Sequence, residues 1–167
     1  LRAHRLVRKQ PVQAERLDPA HLAAEVLTLT RTRLRHAGVK PVLEAGEKVP
    51  RVLGDPIQLH QAILNLVMNA IEAMEAQPPG VERSLRVTVA PEGEGVVLRV
   101  IDTGPGADDE AIARMFHTFH TTKARGTGLG LLVTRSLVEA HEGRLEVSRN
   151  PGRGLAFTIH LPGARPR

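Results

Sequence analysis

The chain has no cysteine, no tryptophan and no tyrosine, and three phenylalanines among its 167 residues. Without thiols it can build neither a disulfide framework nor a thiolate-held metal. With so few aromatics it lacks the platforms on which single-stranded nucleic acids stack. That absence matters because the formal charge is +5, which alone would raise nucleic acid as a partner. The basic residues are nearly all arginine and are scattered (Arg2, Arg5, Arg8, Arg31, Arg33, Arg35, Arg165, Arg167); they are read as solvated faces. No apolar run approaches the roughly 20 residues of a membrane helix, and no signal-peptide pattern opens the chain. Neither nucleic acid nor membrane is therefore expected to meet this segment. The first residue is Leu1, not Met, so a preceding part of a longer protein, membrane-anchored or soluble, is expected upstream of a cytoplasmic domain.

What is present is an ordinary globular composition, 41% hydrophobic and 25% charged, enough for one substantial core. Its most informative stretch follows Asp55-Pro56, a cap residue and a proline suited to the first helical position. Leu59, Ile63, Leu66, Val67, Ala70 and Met74 recur at steps of three and four and make one stripe of a helix apolar. Gln58, Gln61, Asn65, Asn69 and Glu72 share a second face. Lys, Glu or Arg would serve a merely solvated face better, since Asn weakens helices. Amide oxygens one turn apart suit a hard cation such as Mg²⁺, which takes oxygen ligands and keeps several waters. Taken alone, the stripe is equally a plain amphipathic surface helix.

Around this helix the chain reads as follows. Residues 1–11 are the tail of an upstream helix or linker, and 12–17 a short strand. Asp18-Pro19 opens a helix running to Ala37, with Gly38 in its C′ position. Residues 39–44 and 49–53 are short strands, and Gln77-Pro78-Pro79-Gly80 stops the central helix. Residues 85–89 and 96–101 form a hairpin about a turn at 91–95, the second strand lying deeper. A short helix over 108–115 precedes a longer one over 129–140, with Leu132, Leu137 and Val138 inward. A last hairpin, 144–148 with 155–161, turns at Asn150-Pro151-Gly152-Arg153-Gly154, and 163–167 is a loose tail. The segregation of helices from mostly antiparallel strands predicts an α+β fold, a two-layer sandwich with helices on one face of a mixed sheet.

Two glycine-bearing loops carry chemistry. Asp102-Thr103-Gly104-Pro105-Gly106 places a carboxylate where an apolar strand ends. A desolvated carboxylate needs a donor. An exocyclic amine of adenine is one, and the glycines would let a flat base approach the backbone; local capping of a strand-to-helix turn is the alternative. Gly126-Thr127-Gly128-Leu129-Gly130-Leu131 runs into a helix, as phosphate-binding termini do. It is neither a P-loop nor a dinucleotide fingerprint, lacking Gly-Lys-Ser/Thr and a leading strand. Thr121, Thr122, Lys123 and Arg125 just upstream offer hydroxyls and cations to a polyphosphate, in a segment with the composition of a mobile lid.

Taken in order, Asn65-x-x-x-Asn69-Ala70, Asp102-x-Gly104-x-Gly106, Met115-Phe116-x-x-Phe119-x-Thr121-Thr122-Lys123 and Gly126-x-Gly128-Leu129-Gly130-Leu131 resemble the N, first-glycine, F and second-glycine boxes of the histidine-kinase catalytic domain. The resemblance covers about residues 14–161. It implies the Bergerat-type ATP-binding fold shared with gyrase, a heat-shock chaperone and mismatch-repair ATPases, with ATP and Mg²⁺ as cofactors and an ATP-binding catalytic domain over 12–162. The wording Asn69-Ala70-Ile71-Glu72-Ala73-Met74 is similar to the nitrogen- and oxygen-sensing kinases, as is the short interval from Phe119 to Gly126. The resemblance implies that Asn65 and Asn69 meet Mg²⁺ and phosphate, with Glu72 a further participant on that face. It assigns Asp102 to adenine, Gly104 and Gly106 to its pocket, and Phe116 and Phe119 to anchoring the lid. Lys123 would approach the phosphates, and Gly126, Gly128 and Gly130 would cradle them, with Thr121, Thr122, Arg125, Thr127 and Leu129 in the same nucleotide site. Thr118 and His120 depart from the family's usual Pro and aromatic.

The implied activity is transfer of the γ-phosphoryl of Mg-ATP to a histidine on a separate dimerising hairpin of the same protein, which then serves a response regulator. No histidine here carries the phosphoacceptor pattern; His60 and His141 are read as structural or surface residues. The alternatives are an ATP-driven conformational clamp, or a regulatory nucleotide-binding module of the same superfamily. Hydrolysing relatives carry a Glu one turn before the Asn to activate water. Asn65 stands there, and an amide cannot act as a base.

Overall fold

The computed structural model describes residues 13–116 and 130–165. Strand β1 (Glu15–Leu17) leads to helices α1 (Pro19–Leu29) and α2 (Arg31–His36), then strands β2 (Lys40–Ala45) and β3 (Val52–Gly54). The long helix α3 (Pro56–Glu75) is followed by β4 (Ser84–Glu92), β5 (Gly95–Asp102), α4 (Asp109–Arg114), α5 (Gly130–Ala140), β6 (Arg144–Arg149) and β7 (Leu155–Leu161). Five strands form one sheet in the order β2-β4-β5-β7-β6, and β1 pairs with β3 in a separate ribbon. Only β2 and β4 run parallel within the main sheet; its other pairings are antiparallel. The expected α+β two-layer sandwich with a mixed, mostly antiparallel sheet is what forms.

Period-two alternation decides which sheet face is covered. Leu85, Val87 and Val89 of β4, Val96, Leu98 and Val100 of β5, and Leu155, Phe157 and Ile159 of β7 are buried on one side. Against them lie the apolar stripes of α1 (Leu22, Val26) and α3 (Leu59, Ile63, Leu66, Val67, Ala70, Met74), with Val138 of α5. Asp102 continues the inward series 96, 98, 100 on β5, in register with Leu85, so a carboxylate stands where the core pattern calls for a hydrophobe. Among the described residues no helix is long and apolar enough to cross a membrane.

Several local readings change. The helix expected to run from Pro19 to Ala37 breaks at Thr30. The Thr30 hydroxyl and N–H both take the Val26 carbonyl, at 2.8 and 3.0 Å, and this competition turns the backbone. The chain restarts as α2, which ends in a Schellman arrangement: Gly38 at φ +68°, with Val39 N–H on the Leu34 carbonyl at 2.9 Å and Gly38 N–H on Arg35 at 3.0 Å. The first hairpin is tighter than expected. Pro91 and Glu92 stay in β4, paired with Val96 and Gly95, leaving a two-residue loop in which Gly93 takes φ +57°. Leu132 is half-buried and is no part of the core; buried Thr134 faces inward instead. The expected loose tail gives way for residues 163–165: Gly163 bridges to Val52, Ala164 N–H reaches the Arg51 carbonyl at 2.7 Å, and Arg16 donates to the Arg165 carbonyl at 2.8 Å. These backbone groups find partners on the β1-β3 ribbon.

The two helices that frame the site are tied by one imidazole. Asp55 caps α3, accepting from Ile57 and Gln58 N–H at 2.9 and 3.3 Å. Its own N–H donates to Nε2 of buried His141 at 3.0 Å, and His141 Nδ1 lies 2.7 Å from the Leu137 carbonyl at the end of α5. The acceptor role of Nε2 fixes the proton on Nδ1, so His141 is structural. A side chain at Gly54 would overlap both Leu59 and His141, within 2.6 and 2.8 Å. His141→Leu, which keeps the volume and removes the acceptor, is expected to cost about 1–3 kcal/mol in urea unfolding, with an unchanged denaturant slope.

Candidate functional site

The site is built where β5 ends, beside β7 and the second half of α3. Asp102 is 2% exposed. Its Oδ1 accepts from Gly104 N–H at 2.8 Å and Leu155 N–H at 3.2 Å, and Oδ2 takes no hydrogen bond from a described residue. Burial pushes the Asp102 carboxyl above its ordinary value, and the two backbone N–H bonds oppose that rise without cancelling it.

The space around this carboxylate requires missing side chains. A Cβ on Gly104 would lie 3.0 Å from Asp102 Oδ1 and 3.3 Å from the Ala73 side chain on α3. At Gly154, with φ +92°, a Cβ would come within 2.0 Å of the Asp102 carbonyl oxygen. Gly106, at φ +74°, packs over the Gly154 backbone. Asn150 closes the β6–β7 turn, its amide donating to the Arg153 carbonyl at 3.0 Å and its N–H to the Gly154 carbonyl at 3.0 Å. Sequence reasoning gave Asp102, Gly104 and Gly106, but took the 150–154 stretch for an ordinary turn. Gly154 and the Leu155 N–H were therefore missed. The signal was the second glycine of that turn, more than a plain hairpin needs.

Helix α3 brings its polar face to the same place. Asn65 and Asn69 are half-buried and Glu72 is exposed; Gln61 Nε2 donates to Asn65 Oδ1 at 2.6 Å. Ala73, which abuts Gly104, lies four residues beyond Asn69 and eight beyond Asn65. At 1.5 Å per residue these amides stand about 6 and 12 Å along the axis from Ala73. Phe116, half-buried against the core, lies under the Arg135 guanidinium of α5 at 5.5 Å. It packs against the core with a cation over its ring. Gly130 is the first residue of α5, and its carbonyl accepts from buried Thr134 at 2.8 Å. Phe119, Thr121, Thr122, Lys123, Arg125, Gly126, Thr127, Gly128 and Leu129 lie outside the described residues. The structure thus brings together Asp102, Gly104, Gly106 and the α3 face.

The family model described as histidine kinase-, DNA gyrase B- and HSP90-like ATPase matches residues 54–165, which hold α3, the Asp102 loop and β7. The chain belongs to that family. It is 37% identical over 161 residues to the C4-dicarboxylate transport sensor protein DctS of Rhodobacter capsulatus, covering 96% of this chain and 24% of that protein. A full-length ShkA structure in complex with AMPPNP superposes with a TM-score of 0.80 at 29% identity, over 95% of this chain and 33% of that one. The complex of histidine kinase ThkA with response regulator protein TrrA gives 0.77 at 25% identity, over 92% of this chain and 42% of that one. Within the family the chain is thus an ATP-binding catalytic domain of the histidine-kinase kind, and it spans about a quarter of the length of DctS.

The raised pKa of Asp102 fixes a sign. A carboxyl that holds its proton more tightly folded than unfolded favours the fold below its unfolded value, near 3.8, and that contribution is lost as pH rises through the folded pKa. Asp102→Asn cannot titrate and keeps an oxygen for both N–H groups. In nucleotide-free melts the wild type should lose ground to this variant as pH rises across that window. At neutral pH Asp102→Asn should melt no lower than the wild type.

Proposed function

We propose that the domain binds Mg-ATP with adenine at Asp102 and the phosphates along the α3 amides, and transfers the γ-phosphoryl to a histidine on a dimerising hairpin of the same protein. The observation that supports it best is the Asp102 carboxylate, held by two backbone N–H groups through one oxygen and presenting the other beside glycines. That oxygen can accept only from a donor, and the exocyclic amine of adenine supplies one; guanine presents a carbonyl at the equivalent edge. Asn65, Asn69 and Glu72 offer amide and carboxylate oxygens, few in number, as suits a Mg²⁺ that completes its shell with phosphate and water. Lys123, Arg125 and the glycines from Gly126 to Gly130 are assigned to the phosphates on the strength of the motif alone.

Transfer to histidine rather than to water follows from Asn65. Phosphoryl transfer needs positioning and charge stabilisation more than covalent help, so an acceptor presented in line can react while water, with no base to orient it, does not. A response regulator would then receive the phosphoryl from the hairpin, a partnership like that of ThkA with TrrA. The catalytic domain would work in the cytoplasm, where ATP is.

Calorimetry should show ADP binding more tightly than GDP. Asp102→Asn should lose about 1–3 kcal/mol of ADP affinity, because it replaces an acceptor with an amide donor that faces the donor amine of adenine. Equal affinity for the two nucleotides would remove the adenine assignment. Asn69→Ala should weaken Mg-ATP binding more than Mg-free ADP binding.

The activity itself is read with radiolabelled ATP. The domain alone should release phosphate very slowly. With the hairpin that precedes it in the full protein added in trans, it should place acid-labile, base-stable label on that hairpin's histidine. Brisk hydrolysis by the isolated domain, with no labelled hairpin, would favour the clamp.

A further inference from the structure

The turn that carries Asp102 is held from behind by side chains that the nucleotide reading does not use. Thr103 is the residue between the carboxylate and Gly104. Its hydroxyl accepts from Ser84 N–H at 3.0 Å and donates to the Glu82 carbonyl at 3.2 Å, which fixes it to the start of β4. Its carbonyl accepts from Gln77 Nε2 at 3.0 Å. Gln77 is the second residue past α3, and its position is itself determined. Its N–H reaches the Met74 carbonyl at 3.1 Å, its own carbonyl accepts from Arg83 at 3.0 Å, and Pro78 follows.

The other end of the Gln77 amide is anomalous. Oε1 is sealed from solvent and is the one such side-chain atom without a hydrogen-bond partner among the described residues. Turning the amide over would not help, since it would set two oxygens against each other at Thr103. An orphaned buried acceptor is destabilising. A methionine or leucine at 77 would fill the same space and remove that orphan while freeing the Thr103 carbonyl, an exchange close to neutral for stability. What glutamine adds is the N–H on the Thr103 carbonyl.

We propose that Gln77 is a positioning residue for adenine recognition: its amide N–H fixes the Asp102-Thr103-Gly104 turn, and thereby aims Asp102, while its buried oxygen goes unsatisfied. The mechanism is local. The Thr103 carbonyl belongs to the peptide unit whose N–H is that of Gly104, and this N–H grips Asp102 Oδ1 at 2.8 Å. Gln77 pins one side of that peptide plane, and the carboxylate is read from the other. Releasing the carbonyl lets the plane rotate, the Gly104 N–H swings off the carboxylate, and Oδ2 loses its fixed direction. Gln77 touches no nucleotide in this scheme.

The inference rests on the adenine reading of Asp102, and the test keeps the two apart. Gln77→Met removes donor and orphan oxygen together at nearly constant volume. The variant should melt near the wild-type temperature without nucleotide, bind ADP about tenfold more weakly, and lose part of the ADP-over-GDP preference. A measurement without nucleotide accompanies it: exchange of the Gly104 amide with solvent should speed up severalfold, while amides in the middle of β5 keep their rates. An unchanged Gly104 rate in a folded Gln77→Met protein would overturn the proposal. So would an unchanged ADP affinity and an unchanged ADP-over-GDP preference in that folded variant. Gln77→Leu provides the same readings should the methionine variant not fold. If the wild type itself binds ADP no better than GDP, the adenine reading fails, and the Gly104 exchange rate still decides whether Gln77 holds the turn.

Discussion

One buried carboxylate sets the terms for the site. Asp102 occupies the fourth inward position of a strand whose other inward residues are Val96, Leu98 and Val100. A charge there is tolerable only if the backbone supplies donors, and two segments do: the turn after β5 through Gly104, and the start of β7 through Leu155. Both must come close, which explains why side chains are missing around it. Gly154 could carry no Cβ without striking the Asp102 carbonyl, and Gly104 sits against both the carboxylate and Ala73. The glycines of this region thus answer a steric demand made by a single acid.

Helix α3 mediates between core and site. One stripe of it is sealed into the sheet, with Leu66, Val67, Ile71 and Met74 fully buried, and this fixes the roll of the helix about its axis. With the roll fixed, Asn65 and Asn69 can point only to the face that Ala73 joins to the Asp102 loop. Its start is fixed by Asp55 and His141, its end by Gln77 and Arg83. The amide face is thereby held at both ends by polar contacts that the apolar stripe alone would not provide.

How much of this was legible from the chain depends on the range of the interaction. Asp55-Pro56, the apolar stripe of α3 and the alternation in β4 are local, and they gave the elements nearly as observed. The α+β class followed from their order. Asp102 was conspicuous because it sets a carboxylate at the end of an apolar strand, two residues before a glycine. The Thr30 break was not legible, since a hydroxyl that bonds its own helix carbonyl looks like any helical threonine until the backbone turns. The role of Gly154 was hidden for a different reason. It arises from a contact with a residue 52 positions earlier, and no spacing rule within a hairpin turn can show it. Gln77 read as part of a helix stop, which it is, but its side chain's partner is Thr103, 26 positions further along the chain.

The ribbon β1-β3 has an architectural consequence. Gly163 bridges to Val52, and Arg16 on the entering strand holds the Arg165 carbonyl of the departing segment. Entry and exit of the folded unit therefore lie side by side, and β3 passes within one residue of the Asp55 cap that starts α3. One two-stranded ribbon thus gathers both ends of the described fold. The same ribbon opens two helices, β1 reaching α1 through Asp18 and β3 reaching α3 through Asp55, so one pair of strands and two capping carboxylates set where both helices begin on the sheet.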